Sequence, residues 1–262
     1  MCLILFAFQG HPKYPLVIAA NRDEFYKRPT KRAGWWKDHP DILAGRDLKG
    51  GGSWMGVNKQ GQFAALTNVR EPAKFDPDAP SRGPLVIDFL INNPDPSQYL
   101  KGISESDKEF NGYNLILGNK DHLFYSSNRS VEAKAILPGV YGLSNDQLDT
   151  PWPKVERGKK GLQAFLSNDD LVSSADSLFN ILKNSNLALD EELPYTGVSL
   201  EWERRLSPMF IESPEYGTMV STVLLIDESG EIYFEERGYV PKEDNLAFQF
   251  SCHYPLKNTL ES

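Results

Sequence analysis

The second residue of the chain, Cys2, carries a side chain that is well suited to covalent chemistry. Removal of the initiator methionine, which a small second residue permits, would give this residue both a thiol and a free α-amine. An α-amine has a reference pKa of about 8, so near neutral pH part of it is unprotonated and can take the thiol proton. A thiolate formed in this way attacks carbonyl carbon, and the expected reaction is therefore acyl transfer.

A run of polar side chains supplies groups that would assist such a thiol. The run is Asn21-Arg22-Asp23-Glu24. The guanidinium of Arg22 would favour the thiolate by charge attraction, and Asp23 would hold the ammonium form of the amine. The amides of Asn68 and Asn145 are of the type that donates hydrogen bonds to an oxyanion. All the groups that an acyl-transfer site needs are therefore present in type.

Two apolar segments near the start of the chain are expected to bring the thiol and this polar run together. Residues 2–8 are almost entirely apolar, as in a strand buried on both faces, and residues 16–20 form a second such segment. The sequence Gly-His-Pro at positions 10–12 predicts a turn between them, so the two segments form an antiparallel hairpin. Pairing across the turn then places Cys2 opposite Asp23. A register error of one or two residues would still leave Cys2 beside the polar run.

The residues alone leave a second interpretation open. Free cysteines are usually buried, and Cys2 can be a small apolar residue of the first strand. The polar run is then a solvated strand end whose charges pair with one another. The first interpretation requires a reactive thiol, whereas this one requires an inert thiol.

Length and charge exclude several classes of protein. The chain has 262 residues, of which 40% are hydrophobic, and this composition is typical of a globular protein. Its net charge of −8 repels phosphates, so neither nucleic acid nor an anionic membrane surface is expected as a main partner. No apolar segment is long enough to span a bilayer, and membrane insertion is not expected. Two cysteines without a pairing pattern indicate a reducing compartment, and we expect a cytoplasmic protein.

Several common kinds of site have no counterpart in the sequence. The four histidines show no pair at metal-ligand spacing, and no metal site is expected. The chain has neither a dinucleotide-binding fingerprint nor a phosphate-binding loop, and it lacks the strand-to-helix turn that carries a nucleophilic serine. A zinc enzyme, a serine hydrolase and an enzyme with a resident cofactor are therefore not expected.

Blocks of strands separated by blocks of helices predict an α+β fold. Apolar segments around polar turns predict three further hairpins, with turns at residues 58–61, 118–121 and 227–230. Helices are predicted over residues 83–90, 98–103, 151–166 and 169–182. No repeat, low-complexity tract or clear linker separates these blocks, and a single domain over residues 1–262 is predicted.

Motifs in several parts of the chain resemble those of one family. In chain order they are Met1-Cys2, Asn21-Arg22-Asp23-Glu24-Phe25, Gly51-Gly52-Ser53-Trp54-Met55-Gly56, Leu66-Thr67-Asn68-Val69-Arg70, Gly142-Leu143-Ser144-Asn145 and Tyr216-Gly217-Thr218. Together they resemble the NRDE-motif family, whose eukaryotic members are called transport and Golgi organisation protein 2. The resemblance extends over nearly the whole chain.

The NRDE-motif family in turn resembles the N-terminal nucleophile hydrolases, in particular the bile-salt hydrolases and penicillin V acylases. This resemblance implies a four-layer αββα sandwich, in which two antiparallel sheets lie between layers of helices. It also implies that Cys2 is the nucleophile and that Arg22, Asp23, Asn68 and Asn145 complete the catalytic site.

The chain departs from the family pattern at Met219. NRDE-motif proteins commonly have an arginine at this position, and a methionine supplies neither the charge nor the hydrogen bonds of a guanidinium. The basic group is therefore provided elsewhere or is not required. For the late catalytic arginine of the related hydrolases, Arg204 and Arg205 are the candidates nearby.

A local basic run in this acidic protein indicates what kind of ligand it would bind. The run covers residues 27–32 and is followed by Trp35 and Trp36. Beside the expected site it would bind a small anionic or amphipathic molecule, with tryptophan covering the apolar part. The predicted substrate-binding residues are Asn21, Glu24, Arg28, Trp35 and Trp54. The alternative is a solvated loop whose tryptophans pack in the core.

Two functions remain open at this point. The first is an amide or acyl hydrolase that uses Cys2, forms an acyl-enzyme and releases the acyl group to water. The second is a non-catalytic protein on the same fold, because the family is associated with haem movement, acyl-lipid metabolism and secretory-pathway organisation. Haem would then be a bound ligand and not a catalytic cofactor. No pattern in the sequence indicates an oligomeric state.

Overall fold

The apolar segment at the start of the chain forms a strand that is buried on both faces. In this strand, β1 (Cys2–Phe8), Ile4 and Phe6 face the layer between two sheets, whereas Leu3 and Leu5 face a layer of helices. Side chains alternate between the two faces of a strand. Both faces of β1 meet apolar layers, which explains why the segment lacks the usual alternation with polar residues.

The computed structural model describes residues 2–106, 108–130, 132–240 and 243–254, which form two antiparallel sheets. The strands of the six-stranded sheet are, in spatial order, β10 (Gly139–Leu143), β1, β2 (Leu16–Phe25), β11 (Tyr216–Ile226), β12 (Ile232–Val240) and β13 (Glu243–Tyr254). The strands of the seven-stranded sheet follow chain order: β3 (Thr30–Trp35), β4 (Ile42–Asp47), β5 (Met55–Asn58), β6 (Phe63–Asn68), β7 (Tyr113–Gly118), β8 (Leu123–Ser127) and β9 (Lys134–Ala135). The α-helices in these ranges are α1 (Gly83–Asn92), α2 (Pro96–Ser104), α3 (Pro153–Phe165), α4 (Ala175–Leu182) and α5 (Leu200–Arg205).

The helices cover the outer faces of the sheets. Phe89 of α1 and Leu100 of α2 belong to the apolar layer on the seven-stranded sheet. Leu162 of α3 and Phe179 of α4 belong to the layer on the six-stranded sheet, and a third apolar layer lies between the sheets. The predicted four-layer αββα sandwich is confirmed. None of the helices in the described ranges is long and apolar enough to cross a membrane.

The first hairpin pairs one residue away from the expected register. Cys2 lies opposite Arg22 and not opposite Asp23. The cause is Gln9, which has a φ of 48° and leaves the strand, so the last pair before the loop is Phe8 with Leu16. Because a one-residue shift exchanges the faces of a strand, it decides which polar side chains accompany the thiol.

Two backbone segments approach closely where α1 meets the loop before β5. A Cβ atom on Gly52 would lie 2.2 Å from the carbonyl carbon of Gly83. Because backbone stands on both sides of this contact, we expect Gly52→Ala to lower the free energy of unfolding by about 1–3 kcal/mol, measured by urea denaturation. The matched control is Gly102→Ala in α2, whose Cβ would meet nothing within 4 Å. The control should be neutral or stabilising, and an equal loss in both variants would contradict the packing argument.

Candidate functional site

Cys2 lies on the wall of a cleft, and most of the predicted site residues line the same cleft. The cleft has a volume of about 350 Å³. The predicted residues that line it are Cys2, Arg22, Asp23, Glu24, Arg28, Trp54 and Asn68. The thiol and the charged run meet because β1 and β2 pair side by side, whereas Asn68 comes from the end of β6 in the other sheet. Motifs that are far apart in the sequence therefore come together at one place.

Acidic and basic groups are balanced in this cleft. Among the described residues that line it are four basic and four acidic side chains: Arg22, Arg28, Lys49 and Arg82, and Asp23, Glu24, Asp47 and Asp76. The Oδ2 atom of Asp47 accepts a hydrogen bond from Arg28 Nε at 2.6 Å and lies 3.5 Å from Arg22 Nη2. Burial alone would raise the pKa of Asp47, but hydrogen bonds from the Gly50 N–H and from Arg28 hold this pKa below its ordinary value. Asp47 therefore remains a counter-ion for both arginines.

Arg22 is fixed by contacts on several sides. Its Cζ atom lies 4.4 Å from the centre of the Trp54 ring, and its Nη1 atom donates to Met219 Sδ at 3.4 Å. Its Nη2 atom lies 3.8 Å from Glu24 Oε2. Met219 thus serves as a neutral contact for Arg22.

Burial dominates the protonation of the Cys2 thiol. Desolvation is the largest influence and raises the pKa of Cys2 above its ordinary value of 9.0. The charges of Asp23 and Glu24 raise this pKa further, and the charge of Arg22 lowers it. The expected effect of Arg22 is present, but burial outweighs it. The neutral thiol is therefore the resting form near pH 7, and thiolate chemistry at this position needs a base.

Asp23 is buried among polar groups from β11. Thr218 Oγ1 donates to Asp23 Oδ1 at 2.7 Å, and the Tyr216 hydroxyl donates to the Asp23 carbonyl oxygen at 3.0 Å. Burial raises the pKa of the Asp23 carboxyl, and the charge of nearby Lys154 opposes this rise. Asp23 is therefore held in one orientation next to a buried cation.

Two buried cations near Asp23 were not recognised from the sequence. Lys154, at the start of α3, is 2% exposed and donates from Nζ to the Leu206 carbonyl at 3.0 Å. Arg70 is buried and donates from Nη1 to Glu203 Oε2 at 2.7 Å. Arg70 ends the motif that contains Asn68 and was within reach of motif analysis. Lys154 follows a proline in an ordinary amphipathic helix, and no local pattern marks it.

The buried ammonium predicts a specific pH dependence of stability. Burial, with the charge of Arg70, lowers the pKa of Lys154 from 10.5 to about 8 in the folded chain. The unfolded chain therefore binds more protons between these two values, and stability rises with pH there by on the order of 1 kcal/mol per pH unit. The destabilisation caused by burying the charge is fully present below pH 8 and is gone by pH 10.5.

The measurement is the free energy of unfolding of the wild-type chain minus that of Lys154→Met, followed as a function of pH. The subtraction removes the titration of groups that both chains share. We expect a constant difference below pH 8 and a rise in favour of the wild type up to pH 10.5. A difference that stays constant across this range would show that Lys154 titrates normally.

The two asparagines expected to bind the oxyanion form one hydrogen-bonded unit. Asn145 Nδ2 donates to the Asn68 carbonyl oxygen at 3.0 Å and to Asn68 Oδ1 at 3.1 Å. Both amide hydrogens of Asn145 are thus used, and Asn145 is buried outside the residues that line the cleft. Because the side-chain oxygen of Asn68 is an acceptor here, its amide nitrogen is the group left for a ligand. Of the two asparagines, Asn68 therefore lines the cleft, and Asn145 contacts Asn68 from behind it.

Two predicted substrate-binding residues lie away from the cleft. Asn21 alternates with Arg22 along β2 and faces the helices, where its Nδ2 donates to the carbonyls of Leu182 at 2.9 Å and Met209 at 2.8 Å. Trp35 packs against the apolar layer between the sheets, as the alternative interpretation of the tryptophans required. Neither is placed to contact a ligand in the cleft.

Arg82, which was not predicted as a site residue, lines the cleft together with Cys2, Arg22 and Arg28. Arg204 and Arg205 form exposed ion pairs on α5 and do not line the cleft. Arg82 immediately precedes α1, lines the cleft and donates from Nη1 to the Gly112 carbonyl at 2.7 Å. Burial lowers the pKa of Arg82, and the Cys2 thiolate would raise it, so the two groups are close enough to interact.

Comparison with known sequences identifies the family. The profile of the family described as Transport and Golgi organisation 2 matches residues 1–241. The chain belongs to this family. The human Transport and Golgi organization protein 2 homolog is 37% identical over 269 residues, which cover 93% of this chain and 95% of the human protein. The Drosophila melanogaster Transport and Golgi organization protein 2 is 26% identical over 261 residues, with coverage of 90% and 91%.

Solved structures share the fold of this Transport and Golgi organisation 2 family member. One variant of conjugated bile acid hydrolase from Clostridium perfringens aligns with a TM-score of 0.51 at 11% identity, over 100% of this chain and 99% of the hydrolase. A second variant of the same hydrolase aligns with a TM-score of 0.50 at 10% identity, over 96% and 92%. At such identities the likeness concerns the fold alone, and it confirms the predicted N-terminal nucleophile hydrolase-like architecture.

Proposed function

We propose that this Transport and Golgi organisation 2 family member is a hydrolase of amide or acyl bonds in a small molecule, with Cys2 as the nucleophile. The observation that carries the proposal is the placement of Cys2 in one cleft with Arg22, Asp23 and Asn68. A thiol, a guanidinium, a carboxylate and an amide donor are the groups that acyl transfer requires. The likeness in fold to a conjugated bile acid hydrolase supports the same class of reaction.

In the proposed reaction, the Cys2 thiolate attacks the carbonyl carbon of the substrate, and the amide nitrogen of Asn68 donates to the resulting oxyanion. When the tetrahedral intermediate collapses, the carbon–nitrogen bond breaks and the amine leaves with the proton that came from the thiol. Water then attacks the thioester, releases a carboxylic acid and returns the proton to the sulfur. Both half-reactions use the same base and the same oxyanion donor.

The raised pKa of the thiol makes a base necessary in this scheme. Removal of Met1 would create an α-amine on Cys2 itself, and its reference pKa of about 8 suits proton transfer near neutral pH. Asp23, fixed by Thr218, would then hold the ammonium. A reducing compartment such as the cytoplasm would keep the sulfur in its thiol form.

Peptide-mapped alkylation of the native protein at neutral pH tests the proposal. We expect the N-terminal peptide to begin at Cys2, and we expect iodoacetamide to modify Cys2 at least about tenfold faster than Cys252. The same mapping in denaturant, where the two thiols should react at similar rates, is the matched reference. Retention of Met1 together with slow modification of Cys2 would contradict the proposal.

A second function is favoured by the surroundings of the cleft. A groove adjoins it, with a volume of about 640 Å³ and with both apolar and basic lining residues. A groove of this size and chemistry suits an acyl lipid or haem, and a neutral resting thiol suits a protein that binds without reacting. Titration with haem and with an acyl thioester distinguishes the two functions. Saturable binding that survives Cys2→Ala, without turnover by the wild-type chain, would favour the binding protein.

A further inference from the structure

The groove beside the cleft, here called the lateral groove, exposes aromatic side chains. Phe25 is 51% exposed and Phe75 is 64% exposed, and both line the groove together with Trp202. Exposed aromatic surface of this kind is common where the apolar part of a ligand binds. Arg28 and Asn68 line both the groove and the cleft, so a single ligand can extend from one into the other.

One buried arginine in the wall of the lateral groove has unused hydrogen-bond donors. The side chain of Arg70 is only 5% exposed, and its Nη1 atom is occupied by Glu203. Its Nε and Nη2 atoms are buried without a hydrogen-bond partner among the residues that the structure describes. These two atoms form one edge of the planar guanidinium, and their hydrogens point in the same direction. Such an edge matches the two oxygens of a carboxylate.

Glu203 cannot satisfy this free edge. Its Oε2 atom already accepts from Arg70 Nη1, and its Oε1 atom accepts from the Thr196 N–H at 2.8 Å and from the Thr196 hydroxyl at 2.6 Å. The Trp152 ring lies 4.7 Å from Arg70 Cζ and supports the guanidinium without accepting a conventional hydrogen bond from it. Buried donors that stay unpaired are unfavourable, and each one in a folded protein calls for an explanation.

We propose that Arg70 binds the carboxylate of an amphipathic ligand whose apolar part lies along Phe25, Phe75 and Trp202. A singly charged carboxylate fits better than a doubly charged phosphate, because Glu203 already neutralises the charge of Arg70. This inference deepens the proposed function, on which it rests for the use of the cleft, by naming the chemistry of the ligand. It makes Arg70 a specificity-determining residue of the site.

Binding of three dodecyl probes to the Cys2→Ala chain tests the proposal. The probes are dodecanoate, its uncharged methyl ester and dodecanol, each titrated below its aggregation limit by calorimetry or by tryptophan fluorescence. We expect dodecanoate to bind at least about tenfold more tightly than the other two, because only its charged carboxylate can accept both hydrogen bonds. Equal affinities for the three probes, or no binding of dodecanoate, would overturn the proposal.

The variant Arg70→Lys in the same background separates the free edge from simple charge. A lysine keeps the positive charge and the partner of Glu203 but lacks the paired donors. We expect it to weaken dodecanoate binding about tenfold or more and to leave dodecanol binding unchanged. The matched control is Arg204→Lys, whose exposed ion pair with Asp190 lies outside the groove and whose replacement should change neither affinity. Unchanged dodecanoate binding by Arg70→Lys would overturn the proposal.

Failure of this inference and failure of the proposed hydrolase give different results. The binding measurements use a chain without the nucleophile, so they do not depend on turnover. If dodecanoate binds through Arg70 while the wild-type chain hydrolyses nothing, only the hydrolase is wrong. If turnover depends on Cys2 while Arg70→Lys binds dodecanoate normally, only the carboxylate site is wrong. Circular dichroism and the urea midpoint of Arg70→Lys establish that the variant is folded, and the three-probe comparison in the parent chain does not depend on it.

Discussion

Replacement of Cys2 by alanine is expected to slow hydrolysis of a fluorogenic dodecanoyl amide at least about 10³-fold, because the proposed acyl-enzyme forms on the Cys2 sulfur. The substitution removes only a sulfur atom from a half-buried position at the start of β1, so the fold should be retained. The rate of amine release is followed by fluorescence, and intact-mass spectrometry of the wild-type chain should show the acyl adduct during turnover.

The control for this prediction is Cys252→Ala, which removes the second thiol of the chain and should leave the rate unchanged. A further variant, Asn68→Ala, should still form the adduct but turn over about 10²-fold or more slowly, because it lacks the oxyanion donor. If Cys2→Ala retained amine release within a few-fold of the wild-type rate, the nucleophile would have to lie elsewhere.

Replacement of Glu203 by alanine is expected to lower the free energy of unfolding by about 3–5 kcal/mol, because it leaves the buried guanidinium of Arg70 without a counter-ion. The pair is formed between side chains that are 5% and 3% exposed. The substitution also removes the acceptor for the N–H and hydroxyl of Thr196. Urea denaturation monitored by tryptophan fluorescence gives the free energy directly.

Glu201→Ala is the matched control, because it makes the same change in the same short helix. Glu201 pairs with Arg205 at the surface, where both side chains are exposed. An exposed pair contributes at most about 1 kcal/mol, so the control should be nearly neutral. Similar losses in the two variants would mean that burial of the Arg70–Glu203 pair is not what makes it important.

The layered fold follows from patterns that are local in the sequence. The residues of β1 are apolar on both faces of the strand, and glycine and proline mark the turn that follows it. The first hairpin and its buried position were therefore predictable. The strands β3 and β4 were not predicted, because charged residues and glycines interrupt the apolar pattern of both segments. The predicted register is wrong by one residue because Gln9 adopts a left-handed backbone conformation, which a glutamine does not indicate in a sequence.

The composition of the candidate site was predictable only where motifs were present. Cys2, Arg22 and Asn68 lie in motifs, and the structure brings them to one cleft. Lys154 and Arg82 lie at the starts of two helices and come close to Cys2. Their positions depend on how these helices pack against the sheets, and residue spacing in the sequence does not predict that packing. Asn21 faces the helices because side chains alternate along β2. This position could not be predicted without the exact register of β1 and β2, which differs by one residue from the predicted register.

The balance of acidic and basic side chains in the cleft has a consequence for how a ligand arrives. Arg22 and Arg28 already have Glu24 and Asp47 within 4 Å, so the cleft has little field to attract an anion from a distance, and the net charge of the chain is −8. An anionic ligand must therefore meet the protein by unassisted diffusion and be recognised only on contact. Its association rate should consequently not fall as the ionic strength rises, in contrast to enzymes whose active sites draw in charged substrates by electrostatic steering.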